Sequence, residues 1–334
     1  MRLLLEMLTP VHIGNGETID PYEYVITDKL YKINLWKFIS SLNFEDKENF
    51  LKISSSDMIE TRKFIKEKAD LSNVTEYSMN VQRSVHNIYE NKIGDENNSL
   101  SIQTCIKTLD RPYLPGSAVK GPIRTALLFS MADKPIEKTW GIQQNVFNFK
   151  NAQDDPFRAL SISDSIPIDM ENMLIFPVRT YAKNKKKNYK FEESGYVIIV
   201  EGTNSYYTGK VVTISQNIAF DNKLQKQKNF IDINPKKIAS SCNEFYGRVI
   251  EEELNFYESS DTSLAYDIYK SFETDLPSLE KEGAFMLRLG WGSGYNSVTI
   301  NLAKETPESK VSRRLIRGEF PLGWVKAKIL ENQI

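Results

Sequence analysis

The sequence predicts an α+β fold, on three observations. Strand-like and helix-like runs alternate irregularly rather than in a strict rhythm, hairpin patterns join neighbouring strands, and no internal repeat or low-complexity tract interrupts them. A length of 334 residues is enough for two domains with separate cores. Apolar density drops over 145–158, which places the expected boundary there: an N-terminal domain of 1–150 carrying a helical insertion, and a C-terminal domain of 151–334 carrying a glycine-rich loop.

Residues 2–8 form a short apolar strand that Thr9-Pro10 ends, and the loop Val11-His12-Ile13-Gly14-Asn15-Gly16 follows. Tyr22 to Thr27 and Leu30 to Ile33 read as a hairpin turning at Asp28-Lys29. Leu35 to Leu42 is helical in pattern, and a second helix spans Met58 to Ala69. Asp57 opens it with Glu60 three residues on, a capping-box spacing. Leu100, Ile102, Thr104, Ile106 and Thr108 alternate with more polar neighbours, as a half-buried strand does. Strands are expected at Leu160 to Asp164 and Leu174 to Val178. Tyr196 to Val200 and Lys210 to Ile214 flank Gly202-Thr203-Asn204 and are expected to pair with each other. Pro235 to Tyr269 is helix-rich, and a strand lies near Phe285 to Leu289.

Composition excludes several classes. Lysine and arginine total 43 against 44 acidic residues, a formal charge of −1, so no global basic field draws the protein to nucleic acid. Any such contact must be a local patch or be shared with partner subunits. Cys105 and Cys242 lie far apart outside any Cys-x-x-Cys pattern, so neither a disulfide framework nor a zinc site is expected. Apolar runs fall short of the roughly 18–20 residues of a membrane span, and the N-terminal Leu3-Leu4-Leu5 meets Glu6 at once. The expected setting is cytoplasmic, with no membrane partner.

Three motifs carry candidate chemistry. In Pro115-Gly116-Ser117-Ala118-Val119-Lys120-Gly121-Pro122-Ile123-Arg124, Pro-Gly forces a turn, and Lys120 and Arg124 share one helix face. Free N–H groups, the positive helix end and two cations suit a phosphate; a helix with merely solvated cations fits the same residues. The helix register is open: Ser117 as N-cap puts Pro122 in the second turn, whereas Gly121 as N-cap puts Pro122 comfortably at N1. In His12-Ile13-Gly14-Asn15-Gly16 the glycines allow close backbone approach to a ligand, although a plain turn explains them equally. In Arg288-Leu289-Gly290-Trp291-Gly292-Ser293-Gly294-Tyr295, backbone donors, a cation and aromatic faces suit a single-stranded nucleic acid. The run from Lys183 to Lys190 holds five lysines and is either a solvated loop or a basic hairpin.

Catalytic patterns are poor. With His12 and His86 the only histidines, and no paired carboxylate near Asp20 or Asp164, no catalytic residue, metal or cofactor is assigned. His12 as a general base on a ribose hydroxyl is the alternative.

The segments 9–16, 113–121 and 290–295, in this order, resemble the RAMP superfamily of CRISPR-associated RNA-binding proteins, and within it the fifth-subunit family of the Csm (type III-A) effector complex. Leu160 to Ile168 and Pro321-Leu322-Gly323-Trp324 are similar to that family too. The resemblance implies an RRM-like, ferredoxin-type core with a second, degenerate copy. It implies a non-catalytic subunit that holds the 3′ part of the guide (crRNA) and supports its 3′-end maturation in antiviral defence. Implied partners are crRNA, target RNA, the backbone RAMP and small helical Csm subunits, and an external trimming nuclease. The implied RNA contacts are His12, Gly14, Asn15, Gly16, Gly116, Ser117, Lys120, Arg124, Arg288, Gly290, Trp291, Gly292, Ser293, Gly294 and Tyr295. Asp20 sits in a loop loosely comparable to that of the target-cleaving backbone subunit, and no activity is carried onto it. A RAMP endoribonuclease that cuts precursor crRNA with His12 as base, and the 5′-end RAMP subunit, are the alternatives.

Overall fold

The computed structural model describes residues 1–97, 99–137, 140–183, 189–191, 198–203, 211–225, 231–258, 263–310 and 312–331. In chain order the first half gives strands β1 (Arg2–Met7), β2 (Gly14–Ile19), β3 (Tyr24–Ile26) and β4 (Lys29–Ile33), then helices α1 (Leu35–Ser41), α2 (Phe44–Ser54), α3 (Met58–Lys68) and α4 (Leu71–Val74). There follow β5 (Thr75–Val81), α5 (Arg83–Lys92), β6 (Ile102–Cys105), β7 (Lys107–Thr108), β8 (Arg111–Pro112), α6 (Gly116–Met131) and α7 (Ile142–Val146). The second half gives β9 (Leu160–Ile162), β10 (Met173–Lys183), β11 (Tyr189–Phe191), β12 (Ile198–Thr203), β13 (Thr213–Phe220), α8 (Asn222–Gln225), α9 (Pro235–Tyr257) and α10 (Ser263–Glu282). The chain closes with β14 (Ala284–Arg288), α11 (Tyr295–Val298), β15 (Ser312–Ile316) and β16 (Trp324–Leu330).

Two large sheets organise these elements, so the fold is α+β. The first runs β14-β16-β1-β13-β9, antiparallel at every pairing. Strand β1 alternates, burying Leu3, Leu5 and Met7 under α6, α9 and α10. Trp324 of β16 is fully buried there, packing edge-on against Tyr246 and Tyr269. Asn243 of α9 covers the free edge of β14: its amide donates to the Ala284 carbonyl at 3.0 Å and accepts from the Met286 N–H at 3.1 Å. Such a device keeps an edge strand from pairing with another chain.

The second sheet runs β2-β6-β12-β10-β5-β4-β3, with β11 and β15 also on β10. The Asp28-Lys29 hairpin forms as expected, Tyr24 facing Lys32 and Ile26 facing Leu30. Its alternation divides two cores. Tyr24, Ile26 and Leu30 pack with Val85 and Tyr89 of α5, while Val25 and Ile33 pack with Phe38, Phe50 and Phe64 of the helical insertion. Asp57 caps α3 by accepting from the Ile59 and Glu60 N–H groups, both at 2.9 Å, whereas Glu60 turns to Lys63 instead of closing the box.

Both sheets draw strands from either side of residue 150. β1 lies between β13 and β16, and β6 lies against β12. The expected pairing of 196–200 with 210–214 is corrected: β12 lies between β10 and β6 in one sheet, and β13 lies between β1 and β9 in the other. Gly202-Thr203 continues β12 rather than turning, because Val11 hydrogen-bonds along it: the Val11 N–H donates to Thr203 Oγ1 at 2.9 Å and the Thr203 N–H to the Val11 carbonyl at 3.0 Å. Tyr196, Val197, Asn204, Lys210 and residues 184–188 of the lysine run lie outside the described residues. No helix among the described residues is long and apolar enough to cross a membrane.

Candidate functional site

The N-terminal and C-terminal glycine segments meet. Strand β1 leads into Pro10, whose carbonyl accepts the Gly323 N–H at 2.9 Å, so the chain end beyond β1 is held beside β16. His12 then lies against β12, with Nδ1 donating to the Glu201 carbonyl at 2.5 Å. The His12 carbonyl accepts the Trp291 N–H at 2.9 Å, and the two rings pack edge to face at 5.7 Å between centroids. Gly290, at φ +74°, permits this approach: a Cβ there would stand 2.3 Å from the His12 carbonyl oxygen.

The result is an open cleft of about 500 Å³. Residues 12–14 and 16–18, Gln103 and Thr104 of β6, and Gly290 and Trp291 line it. Gly14 to Gly16, expected as a loop, belongs to the edge strand β2, whose register shifts between Gly14 and Thr18. Asn15 shapes that irregularity: its side chain accepts from the Glu17 N–H at 3.0 Å and from Thr104 Oγ1 at 2.8 Å. A bulged edge strand exposes unpaired backbone groups beside the cleft, as donors and acceptors for a ligand.

Glu201 supports the cleft from below. It is fully buried, and its carboxylate accepts the Cys105 N–H at 2.9 Å and the Lys107 ammonium at 2.8 Å. Burial, the largest single influence, pulls the Lys107 pKa down, but the Glu201 charge and hydrogen bond together with Tyr77 and Cys105 outweigh it, and the net shift is upward. His12 shifts the other way. Burial lowers its pKa from 6.5, against the opposing pull of the Glu201 carbonyl and carboxylate. The folded protein therefore takes up a proton at His12 only at lower pH than the unfolded chain, which does so near pH 6.5. This contribution is fully present above that pH and is lost as the pH falls below it. Urea unfolding at about pH 8 and about pH 5 is expected to show a smaller acid loss for His12→Asn than for the wild type, by at most about 1.4 kcal/mol per pH unit. Equal losses would mean that His12 titrates alike in both states.

Arg314 lies beside the cleft, over one of its lining residues, and was not legible in the sequence. Successive residues of β15 face opposite sides. Arg313 turns inward to Glu253, while the exposed Arg314 lays its guanidinium 4.3 Å from the Trp291 ring.

The Gly116–Arg124 segment does not line this cleft. Helix α6 starts at Gly116 with Pro115 as N-cap, which corrects both expected registers and leaves Pro122 inside the helix. The reason lies elsewhere in the chain: Asp164 accepts the Gly116 N–H at 2.8 Å, so this helix start already has an internal anion. Gly116 is obligatory, since a Cβ would stand 2.0 Å from the Ile162 carbonyl oxygen. Ser117 is exposed and makes no cap bond. Lys120 donates to the Leu160 carbonyl at 2.6 Å, and burial lowers its pKa. Arg124 pairs with Asp155 at 2.7 Å and lies over Phe157. Both cations share a helix face as expected, and both are engaged within the protein.

The remaining expected residues divide similarly. Arg288 is buried, donating to the Leu322 carbonyl at 3.0 Å, 3.7 Å from Glu253 and over the Trp324 ring. Ser293 closes the glycine turn by donating to the Gly290 carbonyl at 2.7 Å, and Gly292 and Gly294, like Gly290, have positive φ. Lys310 covers the Tyr295 ring. Asp20 accepts from Tyr22 and Ser101. Among the described residues, no group of three or more His, Cys, Asp or Glu side chains is placed to hold a metal ion.

Comparison with known proteins gives the family and the fold. The family model for the RAMP superfamily matches residues 4–297. A Methanocaldococcus jannaschii protein described as "CRISPR system Cms protein Csm5" is 26% identical over 350 residues, 96% of this chain and 78% of that protein. A Streptococcus thermophilus protein of the same description is 25% identical over 213 residues, 56% of this chain and 57% of its own length. Among solved structures, a chain in the cryo-EM structure of a Csm-crRNA-target RNA ternary complex of a type III-A CRISPR-Cas system aligns at a TM-score of 0.72 and 20% identity, covering 98% of this chain and 100% of that one. The crystal structure of T. onnurineus Csm5 aligns at 0.67 and 21% identity, over 96% and 99% of the two chains. At such identities the two structures speak for the fold.

Proposed function

The chain belongs to the RAMP superfamily, and from that premise we propose that it is the Csm5-like subunit of a type III-A CRISPR effector complex, a non-catalytic protein that holds the 3′ region of the crRNA and supports its 3′-end maturation. The observation that carries the RNA-binding part is the cleft. Two glycine segments from opposite ends of the chain are joined by the Trp291–His12 backbone hydrogen bond and leave an aromatic ring and edge-strand backbone facing one open groove. Stacking on an aromatic side chain contributes about 1–3 kcal/mol per base and tolerates any sequence, as suits a protein that holds guides of varied sequence.

The first sheet supports an RRM-like core. In chain order β1, α6, β9, β13, the α9–α10 pair and β16 follow the β-α-β-β-α-β plan of the ferredoxin type, with β14 added at the edge. The near-zero net charge suits a subunit whose RNA path is completed by neighbouring Csm subunits, with crRNA, target RNA and an external trimming nuclease as the other partners. The endoribonuclease reading is less favoured: His12 is 1% exposed, and its Nδ1 is committed to the Glu201 carbonyl.

The test is to tag the protein in its host, purify the assembly and sequence the 3′ ends of the bound RNA, with and without this subunit. Guides that stay long or ragged at the 3′ end in its absence are the expected result. Normal 3′ ends in the deletion would assign it another position in the complex, and absence of RNA from the tagged assembly would overturn the reading.

A further inference from the structure

We propose that Arg314, whose guanidinium lies over the ring of the cleft-lining Trp291, contacts RNA beside the cleft, taking a backbone phosphate while its outer face offers a surface to a base. This rests on the RNA-binding reading above and adds a residue to it.

Three other arginines near Arg314 are held within the protein. Arg313 is bound by both oxygens of Glu253, Arg288 by the Leu322 carbonyl and Glu253, and Arg317 stands 3.9 Å from Glu319. Arg314 has no carboxylate within ion-pair distance among the described residues, is exposed, and rests on an aromatic face. Strand pairing fixes its position, because β15 is held to β10 with Arg314 opposite Thr180. The ring beneath is fixed as well, by the Trp291 N–H bond to His12 and by His12 packed edge-on. A planar cation laid on tryptophan keeps its N–H fork free at the rim and loses little freedom when it binds, so it suits a phosphate oxygen pair better than a mobile lysine does. Its second face is a stacking surface for an unpaired base. Backbone groups of the bulged β2 edge lie on the same cleft, available to the next stretch of strand.

The experiment is equilibrium binding of a labelled single-stranded RNA oligonucleotide to the purified full chain across a salt series, for the wild type, Arg314→Ala, Arg314→Lys and Arg317→Ala. Arg314→Ala is expected to weaken binding roughly tenfold and to reduce the salt slope by about one. Arg314→Lys is expected to keep the slope but recover only part of the affinity, because charge is retained and planar stacking is lost. Arg317→Ala is expected to match the wild type. Equal losses for Arg314→Ala and Arg317→Ala would reduce the effect to general charge and overturn the inference. Wild-type RNA binding by Arg314→Ala would also overturn it while leaving the RNA-binding reading intact, and if that variant instead failed to join the Csm assembly, the residue would belong to a protein interface. A wild-type chain that binds no RNA, alone or in its assembly, would defeat the underlying reading instead.

Discussion

Replacing Glu253 with alanine is expected to destabilise the protein by about 3–5 kcal/mol, the cost of removing one partner from a buried ion pair. Glu253 is 2% exposed on α9, bonded to Arg313 Nε at 2.8 and 2.9 Å through its two oxygens, and 3.7 Å from Arg288. Its charge holds two cations that no other carboxylate reaches among the described residues. Arg288 belongs to β14 in the first sheet and Arg313 to β15 on the second, so the same side chain ties the two sheets together. Urea unfolding of the Ala variant measures the loss. Replacing Glu253, Arg288 and Arg313 together with apolar residues of similar volume is expected to recover much of it, since the burial cost of all three charges disappears with the pairing. A loss below about 1 kcal/mol for the single variant would place the cluster in the class of solvated surface pairs.

Gly290→Ala is expected to be nearly as damaging and to act on the cleft itself. The methyl would enter a position 2.3 Å from the His12 carbonyl oxygen and 2.7 Å from Ile13 Cδ1, at a φ of +74° that alanine adopts only with strain. Overpacking and left-handed strain together amount to about 2–4 kcal/mol. Relief requires the two glycine segments to separate, which breaks the Trp291–His12 hydrogen bond, so RNA retention in the folded fraction is expected to fall along with stability. Gly121→Ala is the control: a Cβ there meets nothing within 4 Å, and alanine in a helix interior is expected to gain about 0.5–1 kcal/mol. Unfolding midpoints and RNA retention measured on both variants would separate the two effects; normal retention by folded Gly290→Ala would mean that the junction does not shape the site.

Much of the local structure was legible. The Asp28-Lys29 hairpin, the Asp57 cap, the alternating strand around Ile102 and the helices after Pro115 and Pro235 each follow from residues within a few positions of one another. The candidate site was legible in part. His12, Gly14, Gly16, Gly290 and Trp291 stood out by residue type, and the structure brings them to one cleft. Gly116, Lys120, Arg124 and Arg288 stood out for the same reason and stand apart from it.

Periodicity, turn chemistry and capping act over a few residues, so the sequence by itself determined the α+β class and most element positions. What a charged or polar group faces depends on segments far along the chain, so only the tertiary structure decided the roles. Lys120 and Arg124 looked like free cations until Leu160 and Asp155 were placed beside them, and Ser117 looked like a cap until Asp164 took the Gly116 N–H. Glu201 and Arg314 carried no signal, because a lone carboxylate and an arginine in a strand have meaning only through His12, Lys107 and Trp291, each at least 23 positions away. Burial and strand pairing set those partners, and both are properties of the packed chain rather than of any short stretch of it.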